Sequence, residues 1–444
     1  MKTHFRFLLP AAAGCLALSL AACSSAPAAS GEAPAEAAGT YAYHIGGYDW
    51  GGRVDEVTLS LDKPLDKVTP ETFDVKETVE TDEGTTKENN LTVSEAWLTD
   101  DKGEKTEEPS KNVTLKLKPE LDRGNPLYFS GETGYNTWAD PYTLTFTVAE
   151  GQKLESEGNP LTSVTIDEKA TGKTTAVDEY KEAQFKASDG ISYDYGLYEP
   201  AEKASTLFVW LHGQGEGGSY TTKDATDLKV CELAGDASFF TGADFQEATG
   251  GANVLVPMCP TYWMDPDGTK EIGAECLDYG YRESAYTKSL VELIDKVKEE
   301  TGSEKVVIAG YSNGGYMAMM LAMEEAGAYD AYVPIAEAMK NEYITDEDIK
   351  TMKDLPMYFI FASSDPTVDP DQYERPTIQR LLDAGAKDIT VYNPDKVLDK
   401  NGITDENGDP VEYDGHFSWF DFVHNQAHED GKQTVFDWIG EKVK

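Results

Sequence analysis

The chain has 444 residues, with 81 acidic against 38 basic side chains and a net charge of −43. Such a length holds two domains with separate cores. The charge argues against nucleic acid and anionic membrane surfaces as electrostatic partners, and otherwise describes a well-solvated exterior.

Residues 1–22 read as a signal peptide. Lys2 and Arg6 precede "FLLPAAAGCLALSLAA", an apolar stretch that is short and rich in small residues. Its ending, Leu20-Ala21-Ala22-Cys23, resembles the lipobox of bacterial lipoproteins. The resemblance implies cleavage before Cys23 and lipid on its sulfur, hence an exported protein anchored to the outer face of a bacterial membrane. Several acyl chains on one residue hold such an anchor stably. Residues 23–39 are then a lipidated cysteine and a flexible tether. Of the five cysteines, Cys231, Cys259 and Cys276 remain, in a compartment that permits disulfides. One bridge at most can form among them, with its pairing open. None has a His or basic neighbour that would activate a thiolate, so buried structural roles are expected.

From 40 to 178 the pattern is one of strands. "DEVTLSL", "FDVKETVE", "NLTVSEAWL", "NVTLKLK", "YTLTFTV" and "SVTID" each alternate apolar and polar residues between turn residues. Short strands at that spacing predict an all-β immunoglobulin-like sandwich.

From 179 to 444 the pattern changes. "GISYDYGLYEP" reads as a strand entering a turn. "STLFVWLHG", "GANVLVPMCP", "SEKVVIAGYS", "AYVPIAEA", "PMYFIFASSD" and "DITVYNP" are apolar runs suited to strands buried on both faces. The stretches "ESAYTKSLVELIDKVKEETG" and "ERPTIQRLLDAGA" carry helical spacing and a closing Gly. Strand alternating with helix predicts an α/β domain with a mostly parallel sheet, whose ligands sit at the carboxyl ends of the strands.

One such strand ends in Gly310-Tyr311-Ser312-Asn313-Gly314, directly before a helix. Gly-x-Ser-x-Gly in that place is the nucleophile elbow: the turn is too sharp for side chains at the glycines and lifts the Ser312 hydroxyl above the sheet. The Asn313 amide faces the reacting carbonyl. A second turn, His212-Gly213-Gln214-Gly215, matches the loop that supplies the other oxyanion amide, from Gln214 or else Gly215. His212 is expected to brace this loop.

Serine needs a base. Of six histidines, His416 in "YDGHFSWF" follows the last strand, where the order Ser, acid, His requires it; His424 is the rival. Asp365 ends an apolar strand and is preferred over Asp369 as the acid that orients the imidazole. Tyr262, Trp263 and Trp419 lie near these residues in sequence and are candidates for holding an apolar or aromatic substrate group or, equally, for packing alone. All these residues lie beyond Leu211, so the sandwich is expected to be dispensable for chemistry, with a role in positioning substrate or presenting the enzyme left open.

The pieces "LHGQGEGG", "VLVPMCP", "GYSNGGYMA", "SSDPTV" and "GHFSW" occur in the order found in the α/β-hydrolases grouped as polyhydroxybutyrate-depolymerase-like and feruloyl-esterase-like. The chain also resembles secreted bacterial esterases with an N-terminal immunoglobulin-like domain. The resemblance implies Ser312 as nucleophile, Asp365 as acid and His416 as base. The stretch "PDKVLDKNGITDENGDPVEYDG" before His416 is longer and more acidic than the family pattern. Its Asp405-x-Asn407-x-Asp409 has the opening spacing of a calcium loop, but Pro410 stands where Gly is needed and the closing Glu is missing, so a solvated turn is expected.

The sequence therefore points to a serine hydrolase cleaving small or polymeric carboxylic esters through an acyl-enzyme. It shows no zinc cluster or nucleotide fingerprint, and no cofactor or metal is expected. The oligomeric state stays open. Alternatives are a serine peptidase of prolyl-oligopeptidase type, which shares the constellation, and a non-catalytic binding lipoprotein.

Overall fold

The structure is a computed structural model and describes residues 35–82, 84–218, 226–269, 282–400 and 402–444. Residues 1–22, which the sequence reads as a signal peptide, lie outside these, as do Cys23 and Cys276.

The N-terminal region is all β. One sheet takes the order Leu154–Ser156, Asn159–Ile166, Ala35–Gly46, Arg53–Leu65, Ser110–Leu117, Val93–Thr99, Lys105–Thr106, with Gly172–Thr175 beside Ala35–Gly46. A second sheet holds Tyr142–Val148, Phe73–Glu80 and Thr86–Leu91. Alternation does the work here: Phe73, Val75, Glu77 and Val79 point inward while Asp74 and Glu80 face solvent. Residues 35–39, expected in the tether, instead open the strand Ala35–Gly46, pairing in parallel with Leu161–Ile166 and burying Ala37. Ala-Glu-Ala-Ala-Gly carries no hydrophobic pattern, so its backbone pairing left no trace in composition.

The second region is built on eight strands: β1 (Lys181–Lys186), β2 (Ser192–Tyr198), β3 (Thr206–Leu211), β4 (Ala252–Met258), β5 (Lys305–Tyr311), β6 (Ala331–Ile335), β7 (Met357–Ile360) and β8 (Ile389–Tyr392). They lie in the order β1-β2-β4-β3-β5-β6-β7-β8. β2 is antiparallel to both neighbours, whereas β4-β3-β5-β6-β7-β8 run parallel. Both faces are covered. Leu207, Val209, Val306 and Ile308 meet the helices α1 (Thr287–Thr301) and α2 (Asn313–Glu324). Phe208, Trp210, Val307 and Ala309 face the other way, toward the helix Val435–Lys442.

That second core is continuous with the interior of the sandwich, so the two regions share one apolar cluster. Tyr180, at the junction, is buried and donates its hydroxyl to Ala237 O at 2.8 Å. Cys231 and Cys259 are buried against opposite faces of the sheet. Cys231 is a free thiol that burial pushes well above its ordinary pKa, which suits the structural role expected for it. No helix among the described residues is long and apolar enough to cross a membrane.

Candidate active site

Ser312 stands between β5 and α2 with φ 52° and ψ −115°, a conformation that costs about 1–3 kcal/mol for a residue with a side chain. The neighbouring glycines make the turn feasible. A Cβ at Gly314 would lie 2.0 Å from Leu211 O, and one at Gly310 would lie 2.6 Å from Gly314 O. Ser312 N–H donates to Ile335 O at 2.8 Å, fixing the turn to the end of β6.

The Ser312 hydroxyl is 2.9 Å from His416 Nε2, and His416 Nδ1 is 2.8 Å from Asp365 Oδ2. The carboxylate can only accept, so Nδ1 carries the proton and Nε2 is left to receive one from the serine. Asp365 Oδ1 meanwhile accepts the N–H groups of Thr367 and Val368, both at 2.8 Å, and the Asp365 side chain is completely buried. Gly415 lets the histidine loop come this close: a Cβ there would sit 2.5 Å from the Ser364 carbonyl carbon. This arrangement can pass a proton from hydroxyl to imidazole while the carboxylate holds the ring and balances its charge.

The rival residues lie elsewhere. Asp369 accepts from Asp371 N–H and the Gln372 side chain in its own turn. His424 bonds Asp49, and His428 is half-buried with its Nδ1 on Glu429 O at 2.9 Å. His212 is buried, its Nδ1 donating to Gly213 O at 2.7 Å and its Nε2 accepting from Cys259 N–H at 3.0 Å. Burial lowers its pKa to about 4, so it is a neutral brace beneath the loop.

Gln214 follows β3, and Asn313 is the first residue of α2, where backbone N–H groups lack intrahelical partners. Their side chains tie the two turns together: Asn313 Nδ2 donates to Gln214 Oε1 at 3.4 Å, and Asn313 Oδ1 accepts from Trp263 N–H at 2.6 Å.

Tyr262 and Trp263 do not line the cavity into which Ser312 opens. Both are completely buried in the core around α1, and Trp263 Nε1 donates to His212 O at 3.1 Å. Their position in sequence after β4 suggested proximity, but the segment packs under the loop that it supports. Trp419, by contrast, faces the site. Its ring lies 4.3 Å from that of Tyr311 and edge-on to His416 at 5.6 Å.

Ser312 and His416 open into a cavity of about 560 Å³. Tyr311, Tyr413, Phe417, Trp419 and Phe420 give it aromatic walls. The far wall belongs to the sandwich: Asp49, Trp50, Phe129 and Asn136 all line the same cavity. The sandwich therefore contributes walls to the cavity, while Ser312, His416 and Asp365 all belong to the α/β domain. The signal for this was present in "GYDWGG" and "NPLYFSGETGYNTW", where aromatics and glycines interrupt the alternation of strands. Tyr413 comes from the acidic insert, which forms a small hairpin pairing Val397–Leu398 with Glu412–Tyr413. Asp405 closes its own exposed turn at the far end, accepting from Asn407 and Asp409 N–H.

Glu216 also lines the cavity although it is only 8% exposed. Its Oε1 accepts from Asn136 Nδ2 at 3.2 Å, and its Oε2 has no hydrogen-bond partner. Burial pushes this carboxyl up to about 8, so it is protonated at neutral pH. Asp236 nearby is likewise buried and held well above the usual carboxylate range.

Comparison with known proteins agrees with this architecture. Residues 45–159 match the esterase Ig-like N-terminal domain, and residues 265–394 match the dienelactone hydrolase family. A crystal structure of a thermostable esterase superposes with a TM-score of 0.68 at 21% identity, covering 90% of this chain and 98% of that one. Carboxylesterase SOBER1 of Arabidopsis thaliana is 28% identical over 118 residues, which are 26% of this chain and 49% of that protein. The chain thus spans about half the length of this curated relative. Fold and matches together identify an α/β-hydrolase domain preceded by an esterase-type immunoglobulin-like domain.

Proposed function

We propose that the chain is a carboxylic ester hydrolase working through an acyl-enzyme on Ser312. The observation that carries this reading is the hydrogen-bonded relay from Ser312 Oγ through His416 to buried Asp365, at the head of a positive-φ turn. Ser312 Oγ attacks the ester carbonyl carbon as its proton passes to His416 Nε2. The carbonyl oxygen becomes an oxyanion facing the N–H groups of Gln214 and Asn313, each worth about 3 kcal/mol in the transition state. The tetrahedral adduct collapses, and the leaving alkoxide takes the proton from His416. Water then repeats the sequence on the acyl-enzyme and releases the acid.

The aromatic walls suit esters with a sizeable apolar acyl or alcohol group. Matches to esterase and dienelactone hydrolase models favour ester over peptide. Turnover of p-nitrophenyl butanoate and labelling by a fluorophosphonate test the reading. Both should vanish in Ser312→Ala without loss of fold, and residual full turnover would refute it. Anchoring through Cys23 is the second half of the proposal, supported by the Leu20-Ala21-Ala22-Cys23 ending. Cells fed labelled palmitate should mark the wild-type chain and leave Cys23→Ala unmarked; equal labelling of both would refute the anchor.

A further inference from the structure

The loop 213–216, which carries Gln214, is held at three places. At its start, buried His212 joins it to Cys259. At its centre, Asn313 reaches the Gln214 side chain. The third hold comes from the other domain. A sandwich hairpin pairs Leu127–Phe129 with Asn136–Trp138 and leans over the loop. Asn136 N–H donates to Gly215 O at 2.7 Å, while its side-chain amide contacts Gly215 O at 3.3 Å and Glu216 Oε1 at 3.2 Å. Thr226 of the α/β domain returns the contact, its hydroxyl donating to Asn136 O at 2.9 Å.

Gly215 most needs such a hold. Its φ of +102° belongs to the region open to glycine, so the chain there has conformational freedom that its own side chain does not restrict. The Gly213–Gln214 peptide, which carries the Gln214 N–H, lies one residue before that pivot. An oxyanion donor works only within about 2.7–3.1 Å of the developing charge. A misplacement of about 1 Å costs about a hundredfold in rate. Asn136 holds the Gly215 carbonyl with its backbone N–H and, with its side-chain amide, reaches both that carbonyl and Glu216 just beyond the pivot, and so limits the freedom of the two peptides before it.

We propose that Asn136 of the immunoglobulin-like domain is a positioning residue for this loop, so that the N-terminal domain contributes to the rate of the chemical step and not only to substrate contact. The proposal rests on the assignment of the Gln214 N–H to the oxyanion. It predicts a loss weighted to the transition state: Asn136→Ala trims one polar side chain from the cavity wall and leaves the aromatic walls of Trp50, Phe129, Tyr413 and Trp419 in place.

The test uses the full chain with Asn136→Ala, p-nitrophenyl butanoate as substrate and an alkyl trifluoromethyl ketone as transition-state mimic. Ser312 Oγ adds to the ketone carbon, its proton passes to His416, and the resulting oxyanion occupies the same place. The variant should lose at least about tenfold in kcat with KM within about twofold of wild type. The inhibition constant of the ketone should rise in step with the fall in kcat. An unchanged kcat, or a loss carried entirely by KM, would overturn the proposal. Asn136→Gln, which keeps the amide, should recover part of the ketone affinity, and equal loss in both variants would also overturn it. Should Asn136→Ala fail to fold, Thr226→Val, which removes the return contact, is read in the same way. Fluorophosphonate labelling of wild-type Ser312 separates the cases: without it the nucleophile assignment has failed, and with it only the role of Asn136 is in question.

Discussion

His424 Nε2 donates to Asp49 Oδ1 at 2.7 Å, joining the α/β domain to a loop of the sandwich. The Asp49 side chain is completely buried, so the carboxylate depends on protein donors in place of water. His424→Ala should therefore destabilise the chain by about 2 kcal/mol, measured by equilibrium denaturant unfolding. His424→Ala with Asp49→Asn should cost less than the sum of the single changes, because the second change removes the charge that the first strands. Additive losses would show that the pair is not coupled.

Trp50 lines the cavity from the sandwich side, stacked at 5.8 Å on Tyr48 and 6.5 Å from the Tyr413 ring. Removing it opens the wall that a longer acyl or alcohol group would press against. Trp50→Ala should lower kcat/KM for p-nitrophenyl octanoate by about tenfold while changing the acetate by less than about threefold, about 1.4 kcal/mol of lost apolar contact. Equal losses on both esters would place the effect at the reacting centre and not in the wall.

The pH dependence of stability tests Glu216. Burial moves its carboxyl from 4.5 to about 8, so across that interval the native chain keeps a proton that the unfolded chain has released. Stability linked to this group is complete below about pH 4.5, falls as the pH rises, and is gone above about 8. Glu216→Gln keeps the shape and an oxygen for Asn136 but has nothing to titrate. Relative to wild type its thermal midpoint should rise steadily between pH 5 and pH 8. Parallel curves would mean that Glu216 is already ionised in the folded chain.

Strain at Ser312 is also measurable. Its φ of 52° is a conformation that glycine adopts readily. Ser312→Gly should abolish ester turnover and yet raise stability by about 1 kcal/mol, part of the strain being offset by the greater freedom of glycine in the unfolded chain. A destabilised Ser312→Gly would show that hydroxyl contacts outweigh the strain.

How much of this was legible in the sequence depends on how local each signal is. "FDVKETVE" and "YTLTFTV" coincide with the strands Phe73–Glu80 and Tyr142–Val148, because alternation reports burial on one face directly. The buried runs of β3 to β7 were equally plain, as was the turn around Ser312, where two glycines and a serine have one geometric reason to be neighbours. β1 was missed: "KEAQFK" lies at the sheet edge, where half-exposed positions weaken the pattern. Trp263 misled because nearness in sequence to the site does not tell which way a side chain packs. Trp50, Phe129 and Asn136 escaped for the opposite reason, since nothing local announces that a loop some 200 residues away folds over Ser312.

The shared cavity also bears on how such a chain can diversify. Part of the enclosure around Ser312 is supplied by a separate module, so substrate preference belongs to neither module alone. Exchanging the sandwich for that of a relative would import a new set of contacts, and with it a different range of acceptable esters. For the protein engineer, the loops 46–52 and 125–138 offer places to alter selectivity at a distance in sequence from Ser312, Asp365 and His416.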